Sequence, residues 1–382
     1  MIPRRYDVVI AGARCAGAST AMLLARAGMH VLVVDPLGRG TDTLSTHAIM
    51  RAGVLQLHRW GLLDAVKAAG TPPVRTTTFY YADEKIEVAI KPRDGVDALY
   101  APRRTVLDPI LVDAAVAAGA DVVHGHSVVG VLRDGGGRVR GVQVAGPDRE
   151  TVDVEADLVV GADGLRSRVA RLLETEVDYA LAHKAAVLYG YWTGLGLNGN
   201  HWFYRLGCGI GAIPTNHDEA CVFVGVPPDV FERERRQGLE GLYHRHIRES
   251  HPELAERIAG GENRAGLRAF AGEPGFLRRS AGLGWALVGD AGYFRDPITA
   301  HGITDALRDA ESLARAVIKG GEQALHAYQK ERDALVRELL DTTDRIASFE
   351  WDLDEVKQLH LTLSREMNRE VDVVLQLDQA RV

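Results

Sequence analysis

Residues 6–36 read YDVVIAGARCAGASTAMLLARAGMHVLVVDP. Val8–Ile10 has the character of a buried strand, Ala18–Ala27 that of a helix, and His30–Asp35 that of a second strand. Strand, glycine loop, helix and strand make a βαβ unit. The loop is Gly12-Ala13-Arg14-Cys15-Ala16-Gly17. Gly12 and Gly17 allow a tight turn and close helix–strand packing. The following helix start then offers free N–H groups and a positive dipole end to a pyrophosphate. Asp35, with Pro36 beside it, ends the second strand at the distance where a carboxylate meets ribose hydroxyls. Arg14 departs from the dinucleotide fingerprint, which wants glycine there. An arginine can instead donate a forked pair of bonds to phosphate. Taken alone, the loop fits a bare strand–turn–helix as well as a nucleotide site.

Composition sets the bounds. The 382 residues are 46% hydrophobic and 25% charged, with net charge -7 and a pI near 6.1. This is the profile of a globular protein of two or three domains. No basic stripe predicts nucleic acid, and no apolar window predicts a membrane partner. The apolar part of the opening MIPRRYDVVIAGA is too short for a signal peptide. Cys15, Cys208 and Cys221 lack metal or disulfide spacing, so they read as buried fillers in a reducing, cytoplasmic setting. No metal site is expected.

Further segments repeat the logic of the first. Residues 76–91 and 122–146 each read as a hairpin, the second turning at Asp134–Gly137, and Leu107–Ala118 as an amphipathic helix. ADLVVGADG ends a buried strand at Asp163-Gly164, and GWALVGDAG ends another at Gly289-Asp290. Both place a carboxylate at the strand ends where doubly wound sheets bind ligands. The helix predicted over Gly302–Lys319 has no carboxylate before Asp305, so its start stabilises negative charge. Residues 185–227 hold several strand-like runs and predict an antiparallel sheet. Residues 229–260 and everything after Glu322 read as helical.

These segments, in this order, resemble the class A flavoprotein monooxygenases of the para-hydroxybenzoate hydroxylase type over residues 5–320, within a short branch whose loop reads GARCAG. The resemblance implies an α/β fold. A Rossmann-like (GR2-type) FAD-binding domain takes residues 1–75, 98–180 and 265–321. An antiparallel-sheet substrate domain takes 76–97 and 181–264, and a helical region 322–382. It implies FAD held by Gly12–Gly17 and Asp35, by Arg51 in MRAGVLQ at the phosphates, and by Arg104 of the RxxLxxxL segment. Asp163-Gly164 match the family's DG motif, associated with FAD and with the passing nicotinamide. Asp290 of the GD motif meets the ribityl chain, and Pro297 with Gly302-Ile303-Thr304 lines the isoalloxazine. The sequence departs from the family at Arg14, at Gly289–Tyr293 for the usual GDAAH, and at Thr304 where asparagine is common. Asp296-Pro297 is also similar to flavin halogenases and geranylgeranyl reductases, but GCGIGAIP holds none of a halogenase's paired tryptophans.

The expected function is an FAD-dependent NAD(P)H oxidoreductase, with NADH or NADPH as co-substrate. The preferred form is a monooxygenase of an aromatic or polyketide-like small molecule, in secondary metabolism. The alternatives are a flavin or C=C reductase without oxygenation, and a flavin-binding protein without turnover. Tyr80, Tyr81, Tyr189, Tyr191, Trp192, Trp202, Phe203 and Tyr204 give the second sheet an aromatic character, and Ile210–Pro214 is expected to enter the pocket. His47 and His301 are the catalytic candidates, the first for a proton near the flavin edge, the second bonding the flavin or facing solvent. The tail's apolar positions, Leu359 to Leu377, predict packing on the core or on a second copy in a homodimer.

Overall fold

The computed structural model describes residues 2–379. Its centre is β1 (Arg5–Ala11), whose Val8, Val9 and Ile10 are wholly buried. Runs of β-branched residues covered on both faces belong in a parallel sheet. β1 pairs in parallel with β2 (Val31–Asp35) and β8 (Thr151–Gly161). β5 (Asp121–His124) extends the sheet beyond β2. β17 (Trp285–Leu287) and β16 (Ala281–Gly282) extend it beyond β8. The hairpin β6–β7 (Ser127–Arg133, Val139–Ala145) adds antiparallel to β8.

Four helices cover one face: α1 (Cys15–Arg26), α2 (Arg51–Arg59), α4 (Arg104–Ala117) and α9 (Gly302–Lys319). The short α3 (Leu63–Ala68) follows α2, and α5 (Arg168–Leu172) follows β8. α1 begins three residues earlier than the apolar pattern predicts. Its small residues Cys15, Ala16 and Gly17 belong inside the helix, where they allow close approach to β1 and α9.

The second sheet has seven strands. Its order is β14 (Arg268–Phe270), β10 (Ala186–Thr193), β13 (Glu219–Val226), β12 (Cys208–Pro214), β11 (Asn200–Arg205), β3 (Thr76–Tyr81) and β4 (Glu84–Ala89). Arg268–Phe270, assigned above to the first domain, hydrogen-bonds to β10 and lengthens the second. A small third sheet of β9 (Val177–Ala180), β15 (Phe276–Arg278) and β18 (Tyr293–Phe294) ties the two together.

Strand alternation sorts the predicted aromatic residues into two sets. Tyr81, Tyr189, Tyr191, Trp202 and Tyr204 face inward, packed with Ala48, Ile298, Ala300 and the tail. Trp192, Phe203 and Tyr80 face outward, under α6 (Pro228–Glu234), α7 (Leu239–Ser250) and α8 (Pro252–Gly260). Of the predicted pocket stretch, Ile213 faces inward and Ile210 outward. α10 (Glu322–Ala347) and α11 (Leu353–Gln379) form the tail. Leu363 and Met367 pack on the inward face of the second sheet, and Val371 and Val374 on the first core. The tail therefore packs on its own chain, although Leu361 stays exposed. No helix is long and apolar enough to cross a membrane among the described residues.

Candidate functional site

The site lies at the carboxyl ends of β1, β2, β8 and β17, where four loops converge. Gly12 opens the first with φ 106°, and a Cβ there would lie 2.4 Å from the Ala162 carbonyl oxygen. A Cβ on Gly17 would lie 1.8 Å from the Gly12 oxygen. Only glycine fits at either position, so the turn drives α1 against the strand ends. Arg14 is the N-cap, and its side chain makes no capping bond. The first turn of α1 carries no acidic residue, so its N–H groups stay available to an anion. The Arg14 guanidinium points away, 3.4 Å from the Thr41 carbonyl oxygen.

Asp35 is committed to the loop. Its Oδ2 accepts the Ala13 N–H and its Oδ1 the Leu37 N–H, each at 2.8 Å. A carboxylate has about four acceptor positions, so a ribose hydroxyl still has one. Pro36 follows at the exposed end of β2. Asp163 likewise serves its own chain: it accepts the Ser167 hydroxyl and the N–H groups of Arg168 and Val169, capping α5. Gly164 beside it, at φ 76°, meets nothing within 4 Å of a built Cβ.

The Arg51 guanidinium donates to the carbonyls of Lys91 (2.6 Å) and Val96 (3.2 Å), holding the loop after β4. Arg104 forms a bidentate pair with Asp108 at 2.9 and 3.1 Å, and the buried Cys15 thiol lies 3.4 Å from the same carboxylate. Cys15 is thus a filler with a partner. Burial pushes its thiol well above the ordinary range.

Gly289 packs so closely that a Cβ would be 2.9 Å from that of Ala16. Asp290, next to it, is raised to about 7 by burial and by Asp305, with Arg104 opposing. Among the described residues no donor bonds its carboxylate. Pro297 opens a short turn to Ala300, whose backbone is left-handed at φ 51°. α9 then starts without a side-chain cap. Gly302 is exposed, and a Cβ there meets nothing within 4 Å. Ile303 is buried. The Thr304 hydroxyl accepts the Met50 N–H at 2.9 Å, joining α9 to the start of α2. Two uncapped helix starts offer N–H groups to negative charge, with open space over Gly302, and the Asp290 carboxylate, with no hydrogen-bond donor on it among the described residues, can accept a hydroxyl.

The family model described as "FAD binding domain" matches residues 5–343. The chain belongs to the FAD-binding domain family. It is similar to the digeranylgeranylglycerophospholipid reductase of Methanothrix thermoacetophila, at 27% identity over 85% of this chain and 82% of that one. It is 31% identical to the 12-dehydrotetracycline 5-monooxygenase/anhydrotetracycline 6-monooxygenase of Streptomyces rimosus, over 48% of this chain and 36% of that one. A triple mutant of the flavin-dependent brominase Bmp2 superposes with TM-score 0.81 at 19% identity, covering 98% of each chain; that likeness concerns the fold. The protein is an FAD-dependent oxidoreductase, which removes the alternative of a binding protein without turnover.

Beside the FAD-binding end, on the inward face of the second sheet, lies a polar group that the sequence alone does not assemble. His47 has φ 65° and is 1% exposed. Its Nε2 is hydrogen-bonded to the Tyr191 hydroxyl, and its Nδ1, shut from solvent, has no partner among the described residues. Arg103 lies over the Tyr191 ring, Cζ 3.5 Å from its centroid. Arg103 also pairs with Glu219 (2.6 Å) and Asp42 (3.2 Å), and Asp42 pairs with Arg268 at 3.0 Å. Burial, then Arg103, Arg104 and Arg268, lower the His47 imidazole well below its ordinary value. Burial keeps the Tyr191 hydroxyl protonated.

His301 does not face solvent. It is 1% exposed and its Nε2 bonds Glu370 of α11 at 2.7 Å. Its Nδ1 is buried with no partner among the described residues. The sequence marks Glu370 only as a carboxylate within the tail's apolar stripe, between Met367 and Val371.

Proposed function

We propose that this protein is a monooxygenase of a phenol- or enol-bearing aromatic or polyketide-like small molecule, using NADH or NADPH. The observation that carries it is His47: a buried imidazole with a free ring nitrogen, in a field set by three arginines. Arg103, Arg104 and Arg268 favour a substrate oxyanion at the same place, against the burial that is the larger cause of the His47 shift. Ionising a phenol or enol enriches the carbon that an electrophilic oxygen must attack.

In this reading the N–H groups of α1 would bind the FAD pyrophosphate and Asp35 would accept a ribose hydroxyl. Asp290 would hold the ribityl chain, and the N–H groups of Gly302 to Thr304 the flavin ring. FAD would supply the redox chemistry between the nicotinamide and oxygen. With Nε2–H donated to the Tyr191 oxygen, the His47 Nδ1 is a free acceptor for the substrate hydroxyl proton. His47 would take that proton on Nδ1 as the substrate ionises and return it to the same oxygen in the product, because burial, and after it the arginines, oppose a lasting imidazolium. Ala48, Ile213, Ile298, Ala300 and Phe223, in one buried cluster with Tyr191, would exclude water.

A second reading, C=C reduction without oxygenation, is favoured by the reductase that matches across most of both chains. Tyr191, held protonated, would then be the proton donor. One experiment separates the two. Holoenzyme is mixed with NADPH or NADH in the presence of a phenol or its methyl ether, in labelled oxygen. Faster flavin reduction with the phenol alone, and label in the product, support the monooxygenase. Anaerobic turnover of an alkene with no label under air refutes it in favour of the reductase.

A further inference from the structure

The contact between α11 and the start of α9 is ionic and buried. The Glu370 Oε2 accepts a hydrogen bond from His301 Nε2 at 2.7 Å, and its Oε1 accepts one from Arg308 at 2.5 Å. Arg308 also donates to Asp305 (2.8 Å) and Asp309 (2.7 Å), and Arg295 donates to Asp305 at 2.7 Å. All six side chains are at most 5% exposed. His301, Asp305 and Glu370 lie close enough to share a metal ion, but the two guanidiniums already fill that role. Tyr293 packs under Arg308, Arg332 of α10 faces Asp309, and Asp290 completes the surroundings. Burial raises the Glu370 carboxyl, and His301 and Arg308 more than offset this, leaving it at about 2.

The turn before α9 is closed by the Ala300 N–H to the Pro297 carbonyl at 2.9 Å and by Asp296, which accepts the Ile298 N–H; the network holds the residue that follows it. Ala300 is left-handed, a conformation costly for a residue with a Cβ. His301 follows as the N-cap of α9 and gives no side chain to the first N–H groups. The direction of those groups depends on where His301 sits, and the bond from its ring to Glu370 is the hold that comes from outside the turn and α9.

We propose that Glu370 is a positioning residue for the flavin: through His301 it fixes the Gly302 to Thr304 N–H groups where the isoalloxazine is received, so the C-terminal helix completes the cofactor site. The inference rests on the FAD placement above. It assigns to the tail a role that its packing alone does not require.

The test uses full-length apoprotein and holoprotein of wild type, Glu370→Ala, Glu370→Gln and His301→Asn. FAD affinity is read by flavin fluorescence, exchange of the 302–304 amides by mass spectrometry, and the midpoint potential of the bound flavin by dye equilibration. Glu370→Ala leaves two buried donors unmatched, and is expected to weaken FAD binding about tenfold or more, speed amide exchange and shift the potential. Glu370→Gln keeps an acceptor oxygen for His301 and is expected to recover most of the affinity. A Glu370→Ala protein with a lower melting temperature but wild-type affinity and potential overturns the proposal. If Glu370→Ala does not fold, unchanged affinity and potential in His301→Asn overturn it instead. Wild-type protein that binds no FAD would defeat the cofactor placement itself, an outcome distinct from either.

Discussion

Gly302 offers a way to challenge the cofactor placement without disturbing the fold. It is the first residue of α9, it is exposed, and a Cβ built on it meets no atom of another segment within 4 Å. Replacing a helical glycine by alanine stabilises by up to about 1 kcal/mol. The apoprotein of Gly302→Ala or Gly302→Leu should therefore melt at or slightly above the wild-type temperature. If the isoalloxazine is received over the start of α9, the same open space belongs to the cofactor. A leucine there overpacks the bound state by about 1–3 kcal/mol, a loss of affinity of roughly 5- to 150-fold. Alanine should show a smaller loss. The assay is titration of apoprotein with FAD, followed by fluorescence, beside a melt of the same sample without FAD. A Gly302→Leu protein that melts normally and binds FAD like wild type would refute the placement. It would take with it the roles given to the α9 N–H groups and to Glu370.

Two further outcomes are expected. Tyr191→Phe leaves the His47 Nε2 unpaired and should lower turnover by about 10²- to 10⁴-fold, while FAD binding and reduction by the nicotinamide stay within a few-fold of wild type. Loss of reduction instead would place Tyr191 in cofactor binding. His360 of α11 has its Nδ1 bonded to the Tyr81 hydroxyl at 2.8 Å and its Nε2 shut from solvent, and burial lowers its imidazole to about 3. Between its unfolded value near 6.5 and that lowered value, the unfolded state binds the extra proton, so stability falls as pH falls. His360→Phe should remove that slope, gaining about 2.3 kcal/mol on wild type between about pH 6.5 and 4.5 in urea unfolding. Parallel pH curves for the two proteins would sink the assignment.

What the sequence displays, it displays through local backbone geometry. Gly12, Gly17 and Gly289 are required by contacts of 1.8 to 2.9 Å, and a glycine in such a place stands out from its neighbours. Period-two and helical patterns likewise place the strands of the parallel sheet, the antiparallel sheet and the late helix. What the sequence does not display is side-chain partners distant along the chain. Arg51 starts α2 and bonds Lys91 and Val96 of a loop about 40 residues on. His301 stands at the start of α9 and bonds Glu370, 69 residues away in the tail. His47 meets Tyr191 across 144 residues.

The arginine in the fingerprint follows the same logic. Nothing local explains why Arg14 can replace glycine, because the space it needs is set by another segment. As the N-cap of α1 it has extended backbone, φ -97°, which needs no glycine, and its side chain leaves along the 36–47 loop toward Thr41. The glycines that the nucleotide turn cannot lose are those at 12 and 17, where backbone meets backbone. Position 14 needs only an exit for its side chain, and the loop after β2 provides one. The same loop carries Asp42 to Arg103 and Arg268 and places His47 against Tyr191. One irregular segment thus joins the phosphate end of the cofactor site to the wall where a substrate proton would be taken.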